Sequence, residues 1–139
     1  MGVGTCLQKL GDMTSAHHYY TTVLSLQPDH SHALMNLGVI LHSEGAIDDA
    51  IATYKTCLQA SPDDIFILNN LGAALQVKGD NEESKQVLEK VLNIDPNMVA
   101  ALVNLATYYM EEGDIGEIGR EAEAGAKRQQ KHYTTFLRN

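Results

Sequence analysis

The chain is poor in several residue types, and each scarcity excludes a class of protein. Only two cysteines, Cys6 and Cys57, occur in 139 residues. They are too few for a disulfide framework and fit no metal-ligand spacing, so they read as small buried hydrophobes in a reducing, cytoplasmic setting. Basic residues are outnumbered, with 10 Lys+Arg against 18 Asp+Glu and a formal net charge of −8. A nucleic-acid binder needs a basic face to neutralise phosphates, so nucleic acid is not the expected partner. No apolar run approaches the roughly 18 residues of a membrane span, and no charged-then-apolar leader opens the sequence. Motifs of chemistry are missing too. Gly2-x-Gly4 has neither the third glycine nor the preceding strand of a dinucleotide fingerprint, and no glycine loop is followed by Gly-Lys-Ser/Thr. The carboxylate pairs Asp48-Asp49 and Glu82-Glu83 stand where helices begin, a position that the helix dipole explains. The sequence therefore predicts no catalytic residue, no cofactor and no metal site.

Proline is scarce as well, and its placement is informative. Pro28, Pro62 and Pro96 are each 34 residues from the next. On that period Leu34, Leu37, Gly38, Leu41, Gly45, Ala50 and Tyr54 answer to Leu68, Leu71, Gly72, Leu75, Gly79, Ser84 and Leu88. Self-similarity at a fixed period of this size is the signature of a solenoid, whose units stack to bury a continuous core and offer an extended concave surface to a partner.

Each unit reads as two helices. From Ser31 to His42 the apolar residues Leu34, Leu37, Val39, Ile40 and Leu41 form the broad stripe of a packed helix. Glu44-Gly45 ends it, since glycine tolerates the left-handed geometry of a helix stop. A second helix opens at Asp48-Asp49 and buries Ala50, Tyr54, Cys57 and Leu58, and Ser61-Pro62-Asp63 closes the unit. Small residues (Gly38 with Ala50, Gly72 with Ser84, Gly4 with Ala16) are expected to face each other where paired helices cross.

The pattern Leu34-x-x-Leu37-Gly38-x-x-Leu41, then Ala50-x-x-x-Tyr54, then Pro62 resembles the tetratricopeptide repeat, with leucine replacing two of its usual aromatics. The resemblance implies an all-α, right-handed α-solenoid of helix-turn-helix units. Residues 31–64 and 65–98 match in full. Residues 1–30 match without the opening turn of their first helix, as a unit truncated at its N-terminus. Residues 99–132 match at Leu102, Leu105, Ala106, Tyr109 and Gly113-Asp114, then degenerate, with Ile118 in a small-residue position and Gly119 and Gly125 weakening the helix. In the stretch that follows, to residue 139, the residues Ile115, Ile118, Ala122, Ala126, Tyr133, Phe136 and Leu137 fall near one helix face. That stretch is either a capping helix or a basic docking tail.

Such repeats line their concave groove with the first helix of each unit. Carried onto this sequence, the resemblance makes His32, Met35, Asn36 and Val39 groove residues of one unit. Phe66, Asn69, Asn70, Ala73 and Gln76 follow from the next, and Val103, Asn104 and Thr107 from the last. Thr5, Gln8 and Lys9 would line it at the first unit. With Lys9 and Glu111 as its only full charges, a groove of amides, methyls and thioethers suits an extended peptide or a partly apolar helix. Asn36, Asn70 and Asn104 recur at the repeat period, and a side-chain amide can bond both the carbonyl and the N–H of a bound backbone. This ladder resembles the asparagine array of O-linked N-acetylglucosamine transferases; the same amides could instead bond neighbouring helices. The carboxylate clamp of chaperone-binding repeats is disfavoured, because Met35, Val39, Phe66 and Ala100 stand where cations would be needed. His30-x-His32 with His42 matches no zinc spacing and reads as solvated polarity at a turn.

Charge divides along the chain. Residues 1–119 hold 5 Lys+Arg and 16 Asp+Glu, a net of −11, whereas residues 120–139 hold 5 and 2, a net of +3. The expected function is a non-enzymatic scaffold that binds a protein or peptide segment, with self-association through uncapped ends. The alternative is an incomplete substrate-binding arm of a larger enzyme, such as a protein O-glycosyltransferase, which the missing opening turn would suit.

Overall fold

The computed structural model describes residues 11–113 and 115–138. Seven helices occur among them: α1 (Met13–Leu26), α2 (Ser31–Ser43), α3 (Ile47–Ala60), α4 (Ile65–Lys78), α5 (Asn81–Ile94), α6 (Val99–Glu112) and α7 (Ile115–Arg138). Each packs on the next along the chain, and α4 also packs on α6. This is the α-solenoid that the 34-residue period predicts.

The helix ends have local causes. Gly11, Gly45, Gly79 and Gly113 all adopt positive φ, between 77° and 95°, at steps of 34 residues. At Gly79 this left-handed turn lets its N–H reach the Leu75 and Gln76 carbonyls and the Asp80 N–H reach Leu75, satisfying the last carbonyls of α4. A side chain at these positions would strain the backbone. Three helices open on side-chain caps. The Asp12 carboxylate accepts from the Ser15 N–H at 3.0 Å, and that bond holds its carboxyl below the usual carboxylate range. Asp64 accepts from the Phe66 and Ile67 N–H groups at 3.0 and 3.2 Å. His30 Nδ1 accepts from the Ala33 N–H at 3.4 Å. The second helices α3 and α5 have no side-chain cap and carry Asp48, Asp49, Glu82 and Glu83 in their first turns instead.

The core repeats with the sequence. Tyr20, Tyr54 and Leu88, one repeat apart, are all fully buried, as are Ala16, Ala50 and Ser84 one turn earlier. The close crossings differ from the small-on-small expectation. A Cβ on Gly38 would lie 2.5 Å from Tyr54 Cε1, and one on Gly72 would lie 2.8 Å from Leu88 Cγ. The missing side chain thus makes room for the large residue four positions beyond Ala50 or Ser84. Ser84 does touch the glycine of its unit, its Oγ donating to the Gly72 carbonyl at 2.7 Å. Gly4 lies outside the described residues.

Adjacent units are also tied by surface ion pairs: Lys55 to Glu83 at 2.8 Å, Lys78 to Asp48 at 3.1 Å and Lys90 to Asp63 at 3.0 Å. Such exposed pairs contribute about 0.2–1 kcal/mol each. The last helix, α7, runs for 24 residues through Gly116, Gly119 and Gly125. A glycine in a helix costs roughly 0.5–1 kcal/mol but does not by itself terminate it without a competing turn.

Candidate functional site

The first helices of successive units, α2, α4 and α6, line one face. Two bonds fix α4 beside α6: Gln76 Nε2 donates to the Asn104 carbonyl at 2.6 Å, and Asn104 Nδ2 donates to Asn69 Oδ1 at 3.0 Å. Across α2, α4 and the start of α6 lies an open pocket of about 670 Å³, walled by His32, Met35, Phe66, Asn69, Asn70 and Ala100, with Ser31, Asp64, Ile67 and Met98 completing it. Phe66 is 64% exposed there, a large apolar surface left in water without a partner in the fold.

The pocket is nearly free of full charge. Asp64 is its one acidic lining residue, and that carboxylate is occupied in capping α4. Below the pocket, Cys57 is fully buried, with its thiol 3.4 Å from the Ser31 carbonyl. Burial chiefly, and the nearby Asp64 charge next, push its pKa up, so it is a packing residue and not a nucleophile at neutral pH.

The three asparagines sit on one face but in three different states. Asn36 donates to the His32 carbonyl of its own helix at 2.8 Å, and its amide lies 3.2 Å from His32 Nε2. Asn104 is engaged with Asn69, as above. Asn70 is half-buried at the pocket, and its side chain makes no hydrogen bond among the described residues. Met35, Val39, Ala73 and Gln76 are half-buried on the same face, while Val103 and Thr107 are exposed on α6, Thr107 bonding back to the Val103 carbonyl at 3.1 Å. Of the residues expected to line the groove, the pocket gathers His32, Met35, Phe66, Asn69, Asn70 and Ala100. Thr5, Gln8 and Lys9 lie outside the described residues. Sequence reasoning missed Ser31 and Ile67, in the first turns of α2 and α4, and also Met98 and Asp64. Met98 and Asp64 each immediately precede a first helix, at the cap position, and the turn at Asp95-Pro96 and Pro62-Asp63 was the available signal.

Models of the tetratricopeptide repeat match residues 4–65 and 67–98, well over half of the chain. The chain belongs to the tetratricopeptide repeat family. No curated protein sequence matches it. Solved structures of the same fold do. MamA (residues 41 to the end) from Desulfovibrio magneticus RS-1 superposes with a TM-score of 0.83 at 21% identity, covering 92% of this chain and 72% of its own. A tetratricopeptide repeat protein from Parabacteroides merdae gives 0.81 at 21% identity, covering 93% of this chain but 50% of its own. MamA of AMB-1 gives 0.78 at 20% identity, covering 92% and 76%. At such identities the likeness establishes the fold of this tetratricopeptide repeat chain and leaves its partner open.

Proposed function

We propose that this tetratricopeptide repeat chain is a non-enzymatic scaffold whose concave face, formed by α2, α4 and α6, binds a weakly charged segment of another protein. The observation that carries this reading is the pocket shared by α2, α4 and the start of α6, where exposed Phe66 stands beside the unengaged side-chain amide of Asn70. An apolar side chain of the bound segment fits against Phe66 and Met35, and the Asn70 amide is available to its backbone. The ladder narrows accordingly: Asn70 is the rung ready to bind, Asn36 can re-pair from its own helix, and Asn104 serves the α4–α6 contact. The likeness is to repeat models and repeat proteins, so it lends no support to a glycosyltransferase arm.

Selection of peptides from a random library against the chain, followed by titration of the winners, tests the proposal. Phe66→Glu should abolish binding and Asn70→Ala should weaken it about 3–10-fold, the worth of one neutral hydrogen bond. Helicity should be unchanged in both, because Phe66 is exposed and Asn70 holds nothing else. Peptides that bind equally well to both variants would place the site elsewhere.

A further inference from the structure

Helix α7 is far longer than the helix it packs on. At about 1.5 Å per residue its 24 residues span some 36 Å, against about 21 Å for the 14 residues of α6. Starting beside Gly113, α7 returns along α6 until Gln129 Nε2 meets Asn97 Oδ1 at 3.4 Å, next to the start of α6. The remaining residues, 130–138, carry on for about 13 Å past that level. An open notch of about 880 Å³ separates them from the Pro96-Asn97 turn. On this projecting end Phe136 and Leu137 are 77% and 65% exposed, and Lys131, His132 and Arg138 are exposed with them. It is a basic helix end with an uncovered apolar face.

A surface of the opposite character lies at the other end of the helical pairs. In the last turns of neighbouring α4 and α6, Val77 and Met110 are 62% and 69% exposed. At the ends of the same two helices lies a concave acidic surface of about 510 Å³, lined by Gly79, Asp80, Asn81, Glu82, Glu83 and Glu112. Lys55 and Lys78 offset only part of that charge, through Glu83 and Asp80. The two surfaces cannot meet within one molecule, because α7 starts near the acidic end and runs its whole length away from it.

We propose that the projecting end of α7 docks on the Val77–Met110 acidic edge of a second copy of this chain. Phe136 and Leu137 would cover Val77 and Met110, while Lys131 and Arg138 face Glu82 and Glu112. The contact joins two different surfaces, so it is heterologous and adds copies head to tail unless the rotation closes. It is smaller than a standard interface and leans on exposed charge, so it is weak and sensitive to salt. The contact takes up Val77 and Met110 at the ends of α4 and α6 and leaves the pocket beside Phe66 and Asn70 open, so its test is separate from the test of that pocket.

Sedimentation velocity over a concentration series, at low and high salt, tests this. Wild type should show concentration-dependent species above monomer that recede at high salt. Lys131→Glu with Arg138→Glu should weaken self-association about tenfold, and so should Glu82→Lys with Glu112→Lys, as two exposed pairs turn from attraction to repulsion. Mixing the two variants should restore association to a strength that neither shows alone. All four sites are exposed, so a folding defect is not expected, and unchanged helicity in both variants verifies it. A wild type that stays monomeric throughout would overturn the proposal. Association indifferent to both charge reversals would also overturn it. So would a monomer that instead co-sediments with phosphatidylserine vesicles through Phe136 and Leu137, which would make the helix end a membrane element.

Discussion

Gly38→Ala is the smallest change that interrogates the packing of this solenoid. In an exposed helix the substitution stabilises by roughly 0.5–1 kcal/mol, because alanine loses less backbone freedom on folding. At Gly38 the new methyl would stand 2.5 Å from Cε1 and 2.8 Å from Cδ1 of Tyr54. That ring is 1% exposed and fully enclosed, so it has nowhere to turn, and overpacking of this kind costs about 1–3 kcal/mol. The net effect should be a loss of about 1–2 kcal/mol. Gly72→Ala meets Leu88 Cδ2 and Cγ at 2.8 Å, and a leucine can change rotamer where a ring cannot, so its cost should be smaller. Gly125→Ala has nothing within 4 Å of the new methyl and should stabilise by roughly 0.5–1 kcal/mol. Urea unfolding followed by far-ultraviolet circular dichroism gives all three values. A double-mutant cycle with Tyr54→Leu isolates the clash, since the cost of Gly38→Ala should shrink to that of Gly72→Ala once the ring is gone. If Gly38→Ala proved as stable as wild type, or if Tyr54→Leu left its cost unchanged, the close approach of α2 to the Tyr54 ring would be refuted.

Other predictions follow from the same contacts. Asn104→Ala should lower stability by about 0.5–1.5 kcal/mol through loss of the bond to Asn69, whereas Asn70→Ala should leave the melting temperature unchanged; equal effects would mean that the two amides are equivalent. In a Cys6→Ser background, Cys57 should resist maleimide or disulfide reagents in the folded protein and react at once in urea, because burial raises its pKa. The Tyr54 hydroxyl has its pKa raised by burial to about 12, so the neutral form is the one the fold prefers. Its contribution to stability should be complete below about pH 10, the unfolded value, and lost as pH rises from there towards about 12. Tyr54→Phe should remove that part of the alkaline destabilisation in pH-dependent melts. Hydrogen exchange should be slowest in α2 to α5, which have neighbours on both sides, and faster in α7, in keeping with a sum of nearest-neighbour interfaces.

The sequence by itself determined the helical pairs, because their causes are local or periodic. Gly45, Gly79 and Gly113 stop helices through a left-handed turn, a local backbone geometry that needs no distant partner. Asp48-Asp49 and Glu82-Glu83 start helices by the dipole alone, and Leu34, Leu37 and Leu41 declare a buried face by spacing. The same period placed Met35, Phe66 and Asn70 on one side of the solenoid, where the pocket gathers them. What tertiary structure decided is which neighbour each residue meets. Periodicity gives Gly38 and Gly72 the same role, but only the packed interior shows that a tyrosine ring fills one space and a leucine the other. Asn36, Asn70 and Asn104 are identical in sequence context, each one residue before a repeat leucine, yet one bonds its own helix, one is left free and one bridges to Asn69. That difference arises from the side chains that the adjacent helix happens to present at hydrogen-bonding distance. The length by which α7 outruns α6 is likewise a relation between two helices. No single stretch of the chain encodes it, and it is what carries the basic helix end past the start of α6.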